Sequence, residues 1–267
     1  MEIIWLTVFA VLLIGYFALE GFDVGVGMLL PVLSRAGERA GEPGTRQQHR
    51  DRLVAAMAPF VLANEVWLVA VAGTLFGVFP ALEGTVLSGL YPLVVALLAS
   101  WVLRDAGLWF RRRIDGGAWR AFWDAVLCAA SWGLALSWGA ALASVVRGLP
   151  AQPFDLPALL YGGVVAAAFA FHGRAFMAWK LSGPSESPRT GRRLLLSAVV
   201  AALPVAVPLA VVIPSMLDHV APSATLNVLS LFVLPVVPIM IGAQVWVWRA
   251  FGPSGSTGAA ARIPSFF

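Results

Sequence analysis

Three carboxyl-bearing residues interrupt segments of this sequence that otherwise read as hydrocarbon: Glu20 and Asp23 in the first apolar segment, and Glu65, beside Asn64, in the second. Glu20 and Asp23 are three residues apart, so on a helix they share one face. A carboxyl at membrane depth has to be paired, protonated or wetted, and groups kept in that condition are the parts of a proton relay. With a rise of about 1.5 Å per residue and a first helix leaving the bilayer core near Leu30, Asp23 lies about 10 Å and Glu20 about 15 Å from the cytoplasmic edge. A second helix entering near Leu53 puts Glu65 about 18 Å in, at a depth similar to Glu20.

Arg104 ends a third apolar block and Asp124 opens a fourth, both near the inner face with Asp23. Asp23, Arg104 and Asp124 are therefore expected to form an intramembrane charge cluster tying helices one, three and four, with a functional ion route as the alternative. Glu20 and Glu65 have no basic residue at their estimated depth and cannot both be charged cheaply. Proton transfer and a pair of neutral, hydrogen-bonded carboxyls are the two readings of that pair. The candidates for a proton route are thus Glu65, Glu20, Asn64 and Asp23.

His172 and Arg174 interrupt a fifth apolar segment, and His172 is the only one of three histidines inside such a segment. A haem with two axial histidines cannot be built there from this chain alone; single ligation by His172 stands as the alternative to helix packing or quinone contact. Cys128, the one cysteine, lies in an apolar block and reads as a small core residue. No Cys/His spacing suits zinc or iron–sulfur, so no metal site is expected, and neither a P-loop nor a nucleophile–base pair is visible. Gly21 and Gly25 form a GxxxG pair that lets another helix approach closely, and with no strand before them they are not a dinucleotide fingerprint. Pro204, Pro208 and Pro214, then Pro235 and Pro238, read as kinks repaired by neighbouring helices in preference to the broken helices of a transporter.

The elements that must position these residues follow from composition. Of 267 residues, 60% are hydrophobic and 12% charged, against about 25% charged in a soluble domain. The uncharged blocks, such as 125–146 and 194–217, are long enough to cross a bilayer core of roughly 30 Å. We expect an all-α, polytopic transmembrane helix bundle of seven spans, roughly 3–33, 53–79, 86–110, 123–146, 157–180, 194–215 and 225–250. No room remains for a soluble catalytic domain. Residues 1–251 read as a single integral membrane domain, and 252–267, rich in Gly, Ser and Ala, as a flexible cytoplasmic tail. With no basic region before the first apolar run, that run is expected to stay as a helix and not be cleaved.

Sixteen of the 18 basic residues fall on alternate connections or the tail, Arg147 falls on the opposite side and Arg174 within a span. By the positive-inside rule the N-terminus is outside and the C-terminus cytoplasmic. This topological use of the arginines also removes the reason to read a net charge of +4 as nucleic-acid binding. Trp109, Trp119, Trp123, Trp179, Trp246 and Trp248 fall near the inner boundary and read as interfacial anchors. The segment 111–119 is expected to lie along that surface.

The run from Glu20 to Leu29 resembles the D-G-F-D-x-G-V-G-M-L signature in the first helix of subunit II of cytochrome bd-type quinol oxidases. Asn64-Glu65-Val66-Trp67-Leu68, followed by Phe79-Pro80, is similar to that family's second-helix motif, whose core is G-N-x-V-W-L. Ser100, Arg104, Gly107, Arg111, Ile114, Trp119, Arg120, Trp123 and Asp124 fall at family-like spacings, His172-Gly173 resembles the fifth-helix motif, and Asp218 with Thr225-Leu226-Asn227 the start of the last helix. The resemblance covers most of the chain.

The resemblance implies a haem-free subunit that pairs with a larger, haem-bearing subunit I of a quinol:oxygen oxidoreductase in a bacterial plasma membrane, a terminal oxidase of aerobic respiration. Haem b and haem d would reside in subunit I, with quinol as the substrate of the complex; small accessory subunits are further partners of such complexes. Subunit II is held to scaffold subunit I and to contribute a cytoplasmic proton route, and in some members it holds a structural quinone. Gly21, Gly25, Trp67 and His172 are the candidates for helix packing or quinone contact. Two departures stand out. The family acid two positions before the motif Asn is replaced by Leu62, and Glu65, one turn away, is its expected substitute. Family members also carry two more helices between the fifth and the last two, which puts a structural quinone pocket in doubt. Alone, the chain is expected to be inactive. A proton-coupled secondary transporter and a purely structural membrane subunit are the rival readings; an inverted internal repeat, the mark of many transporters, is not visible between the halves.

Overall fold

In a computed structural model, which describes residues 1–41, 43–183 and 185–253, the chain is all-helical. The helices are α1 (Glu2–Arg39), α2 (Arg46–Val78), α3 (Pro80–Gly89), α4 (Tyr91–Phe110), α5 (Gly117–Val146), α6 (Leu156–Lys180), α7 (Ser187–Leu217), α8 (Ser223–Val233) and α9 (Val236–Phe251). Among the described residues, seven segments are long and apolar enough to cross a membrane, α8 and α9 together supplying the last, Ser223–Phe251. The protein is a multi-pass membrane protein. Of the tail expected at 252–267, all but Gly252 and Pro253 lies outside the described residues.

Several helices run past the expected spans because polar residues cap or extend them beyond the apolar block. Thr45 accepts from the Gln48 amide while Gln48 accepts from the Thr45 amide, a reciprocal capping box that starts α2 seven residues before position 53. Pro80 ends α2: the residue before a proline is pushed out of the helical region, and Phe79 sits at φ −126°, ψ 54°. The expected third span, 86–110, is accordingly divided, with α3 ending at Gly89 and α4 starting afresh with Pro92 in its first turn. The expected surface segment 111–119 shortens to a turn before α5 begins at Gly117.

α1 is the central helix, packed against α2, α5, α6 and α7. Phe17, Phe22, Val24, Val26 and Leu30 along it are fully buried. Gly25 and Gly173 allow α1 and α6 to meet backbone to backbone: a Cβ at Gly25 would lie 1.9 Å from the Phe169 carbonyl oxygen. The GxxxG pair is therefore spent inside the chain, with Gly21 against the Phe169 ring, and does not face an outside partner.

At Pro208 of α7 a neighbouring helix replaces the lost backbone donor. Pro208 has no N–H to give the carbonyl four residues earlier, and the Tyr161 hydroxyl of α6 donates to that Pro204 carbonyl at 2.9 Å. Pro235 stands where α8 gives way to α9.

Candidate functional site

Arg104 of α4, wholly buried, gathers carboxyls from three helices. Its Nη2 donates to Asp23 Oδ1 at 2.7 Å, and its Nη1 lies 2.8 Å from Glu20 Oε1, 3.4 Å from Glu65 Oε1 and 3.5 Å from Asp105 Oδ1. α1 supplies two acids one helical turn apart, α2 supplies Glu65, and α4 supplies Asp105 next to the arginine itself.

A chain of amides holds one side of this cluster. Asn64 Nδ2 donates to Asp23 Oδ2 and to the Leu19 carbonyl, both at 3.0 Å. Gln244 of α9 donates through Nε2 to Asn64 Oδ1 at 2.9 Å and accepts from Trp67 Nε1 at 3.2 Å. Each amide nitrogen donates and each amide oxygen accepts, the Asn64 nitrogen donating twice, which fixes the Asn64 amide with its N–H₂ toward Asp23. Trp101 Nε1 donates to Glu65 Oε1 at 3.0 Å.

The expected pairing of the acids needs correction. Glu20 and Glu65 do not lack a base: Arg104 lies against both, although its Cα was placed nearer the inner face. Side chains lean toward the N-terminus of their helix, so Arg104 reaches away from the Phe110 end of α4 and toward mid-membrane. Asp124, near the start of α5, leans the opposite way and does not join Asp23 and Arg104. It accepts from Arg111 Nε at 2.9 Å and from Arg50 Nη1 and Gln47 Nε2 at 3.3 Å, while Arg111 Nη1 also meets Asp51 at 2.8 Å. The single expected cluster is thus two, separated along α4 by the seven residues from Arg104 to Arg111, or about 10 Å.

One guanidinium faces four carboxyls, so ionising all four would leave net negative charge in a largely buried site. Both Glu20 oxygens and Arg104 Nε are buried without a hydrogen-bond partner, the Glu20–Arg104 contact being close but misaligned. Such orphaned atoms are places for ordered water. The arrangement can therefore store and exchange protons. Asp105 and Gln244 were not among the sequence candidates. The signals that could have found them are an acid beside Arg104 and the one amide side chain of α9.

The remaining candidates are packing residues here. His172 Nδ1 meets the Ser197 hydroxyl at 2.7 Å and Nε2 meets the Ala18 carbonyl at 3.0 Å, which leaves no ring nitrogen for a haem iron. The Trp67 ring fills the space over Gly15, where a Cβ would come within 2.4 Å. Neither residue lines either of two apolar cavities of about 320 Å³ each among the described residues, one between α1, α2, α3, α5 and α7 and one between α1, α2, α8 and α9. Among the described residues, no group of three metal-ligating side chains comes together.

Comparison with known proteins gives a consistent picture. A family model described as cytochrome bd terminal oxidase subunit II matches residues 1–217. The probable cytochrome oxidase subunit 2 of Haemophilus influenzae is 29% identical over 248 residues, covering 85% of this chain and 63% of that protein. The cytochrome bd-I ubiquinol oxidase subunit 2 of Escherichia coli is 31% identical over 163 residues (61% and 40%), and the cytochrome bd ubiquinol oxidase subunit 2 of Bacillus subtilis 37% over 148 residues (55% and 40%). The chain thus spans between two fifths and about two thirds of the length of these relatives.

Proposed function

We propose, proceeding from the fact that this chain belongs to the cytochrome bd terminal oxidase subunit II family, that it is the haem-free subunit of a quinol:oxygen oxidoreductase and seats a larger, haem-bearing subunit I. Haem b and haem d of that partner would supply electron transfer and dioxygen reduction. Small accessory subunits are further candidate partners. By the positive-inside rule the end bearing Arg111 and Asp124 faces the cytoplasm, the side from which the protons of water formation are drawn.

Within that complex this chain contributes part of the proton supply. The observation that carries this reading is the contact of Arg104 with Glu20, Asp23 and Glu65 at 2.8, 2.7 and 3.4 Å in a buried site. Asp23, which receives N–H donors from both Arg104 and Asn64, is the fixed counter-ion. Glu20 and Glu65 share one nitrogen of the guanidinium, and neither Glu20 oxygen has an aligned donor, so these two are the groups that take up and release protons in this reading. In this reading Glu65 stands in for the acid replaced by Leu62. The test is Glu65→Gln in the assembled complex. Oxidase turnover and proton uptake should fall together while haem content stays constant; unchanged turnover would remove Glu65 from the route.

A further inference from the structure

Arg174, the basic residue that interrupts the fifth apolar segment, joins neither ion-pair cluster: it has no hydrogen bond or ion pair among the described residues. It stands on a stripe of α6 that turns away from the bundle. Leu160, Val164, Ala167, Phe171, Arg174 and Ala178 recur at steps of four and three, and all are exposed. With Leu160 and Phe171 63% and 54% exposed, the stripe is a hydrocarbon-facing side of the helix with one guanidinium set into it. An unpaired charge is costly among lipid tails, so this guanidinium must find an anion or water.

Its depth and a second arginine decide which. α1 and α6, the first and fifth spans, cross in the same direction, and they meet where a Cβ at Gly25 would lie 1.9 Å from the Phe169 carbonyl oxygen and 3.1 Å from the Gly173 nitrogen. Arg174 follows Gly173 and so stands opposite the turn of α1 after Gly25. With α1 leaving the core near Leu30, that level is within about 5 Å of the core edge. Val32 lies two turns beyond Gly25, on the face of α1 that meets α6 there, yet it is 58% exposed. The face is thus uncovered beyond the crossing, and Arg35, the neighbour of Val32 at i+3, is exposed with no partner among the described residues. Arg35 stands five residues past Leu30, about 8 Å outside the core. The two arginines bracket the headgroup layer, which is roughly 5–8 Å thick on each side of the bilayer. Arg35 leans back into that layer toward its helix N-terminus, and Arg174 reaches it by laying its long stem along the alkyl surface.

We propose that Arg174 and Arg35 hold the phosphate of an acidic phospholipid in the leaflet on the arginine-rich side, with its acyl chains against the exposed stripe of α6. The occupant is set by charge and by reach. Two guanidiniums at headgroup depth call for an anion, and the acids of the neighbouring segments are engaged elsewhere: Glu38 of α1 accepts from Arg46 at 2.9 Å, Asp124 of α5 from Arg111 at 2.9 Å, and Glu20 and Asp23 face Arg104. A zwitterionic headgroup would find its phosphate served and its ammonium unmatched, so a lipid of net negative charge is favoured. A transmembrane helix of another protein would have to bring an acid to Arg174; a stem long enough to reach the headgroups does not require one. Pairing of guanidinium with phosphate is forked and charge-assisted, which makes the site selective beyond the general attraction of a basic surface. The inference concerns α1 and α6 alone and does not depend on the oxidase reading.

Two measurements on the full chain, in whatever complex it leaves its native membrane, test the site and its occupant. In the first, the delipidated protein in an uncharged detergent is titrated with phosphatidylglycerol and bound lipid is counted by native mass spectrometry. Arg174→Gln and Arg35→Gln should each weaken binding about tenfold, Arg174→Lys should recover most of that loss, and phosphatidylcholine should bind more weakly than phosphatidylglycerol. Arg192→Gln, which removes an exposed arginine at the start of α7, should change nothing. Equal weakening in Arg192→Gln, unchanged binding in the first two variants, or equal binding of phosphatidylcholine would overturn the site. In the second, a photoreactive phenylalanine analogue at position 171 is irradiated in native membranes. Crosslinks to phospholipid are expected, whereas crosslinks to a second polypeptide would assign the face to a protein partner and overturn the proposal.

Discussion

Arg104 and Asp23 meet at 2.7 Å with neither side chain exposed, joining α4 to the central helix of the bundle. The same guanidinium touches acids of α1 and α2, so one residue both ties three helices together and sets the charge of the site.

Removing that cation should therefore be costly. Arg104→Met leaves buried acids without their counter-ion, a loss of about 3 kcal/mol or more by analogy with other broken buried pairs. Arg104→Lys keeps the charge but lacks the forked geometry that serves Glu20 and Asp23 from separate nitrogens, and should fall between. Thermal unfolding in detergent reads both, and an unchanged midpoint for Arg104→Met would show that the cluster contributes nothing to holding the helices.

Gln244→Leu should disturb the site from the far side of the bundle. The substitution leaves Asn64 Oδ1 and Trp67 Nε1 without partners, at about 1–3 kcal/mol for each buried group left unsatisfied. With its orientation no longer fixed, Asn64 can turn its carbonyl toward Asp23. Difference infrared spectra in the carboxyl C=O region should shift in Gln244→Leu. Wild-type spectra with wild-type stability would mean that the amide chain does not order the cluster.

Much of this arrangement is legible in the sequence, and the limits are physical. The periodicity and length of the apolar blocks place seven spans, because backbone satisfaction in lipid leaves little but helix. Glu20, Asp23 and Glu65 are legible as a group because acids in such blocks are rare. Arg104 is rightly assigned to Asp23, but Asp124 is wrongly added and Glu20 and Glu65 are missed, because depth along a helix locates a Cα, while the arginine side chain carries its charge several ångströms toward the helix N-terminus. The pairing of Asp124 with Arg111, and the contact of Gln244 with Asn64, 180 residues away, depend on tertiary packing that no local pattern encodes.

Tyr161 offers a test of how the bundle tolerates its prolines. Tyr161→Phe should cost about 1 kcal/mol by leaving the Pro204 carbonyl unserved. In a Pro208→Ala background, where the helix N–H is restored, the same change should cost less. Equal costs in the two backgrounds would show that the hydroxyl is not repairing the kink.

On the side opposite the arginine-rich loops, Arg147 donates to Asp155 through Nη2 at 2.8 Å, and Asp155 also caps α6 through the Ala158 amide at 3.1 Å. The Arg147 guanidinium holds the Asp155 carboxyl below its ordinary range. A depressed folded-state value means that the contribution is fully present above the unfolded value of about 3.9 and is lost as pH falls below it. Amide exchange at Ala158 should therefore be flat near neutrality and quicken, beyond the intrinsic trend, only below about pH 4. Asp155→Asn should remove that acid step, and a step that persists in it would assign the effect elsewhere.

The role proposed for this chain is that of one subunit of a quinol oxidase. Its most direct test is to purify the tagged chain from its native membrane in mild detergent, then record a reduced-minus-oxidised spectrum and quinol-dependent oxygen uptake. Haem bands from a larger copurifying chain are expected, with oxygen uptake that requires quinol. A colourless single chain, obtained under conditions shown to keep other membrane complexes intact, would contradict it.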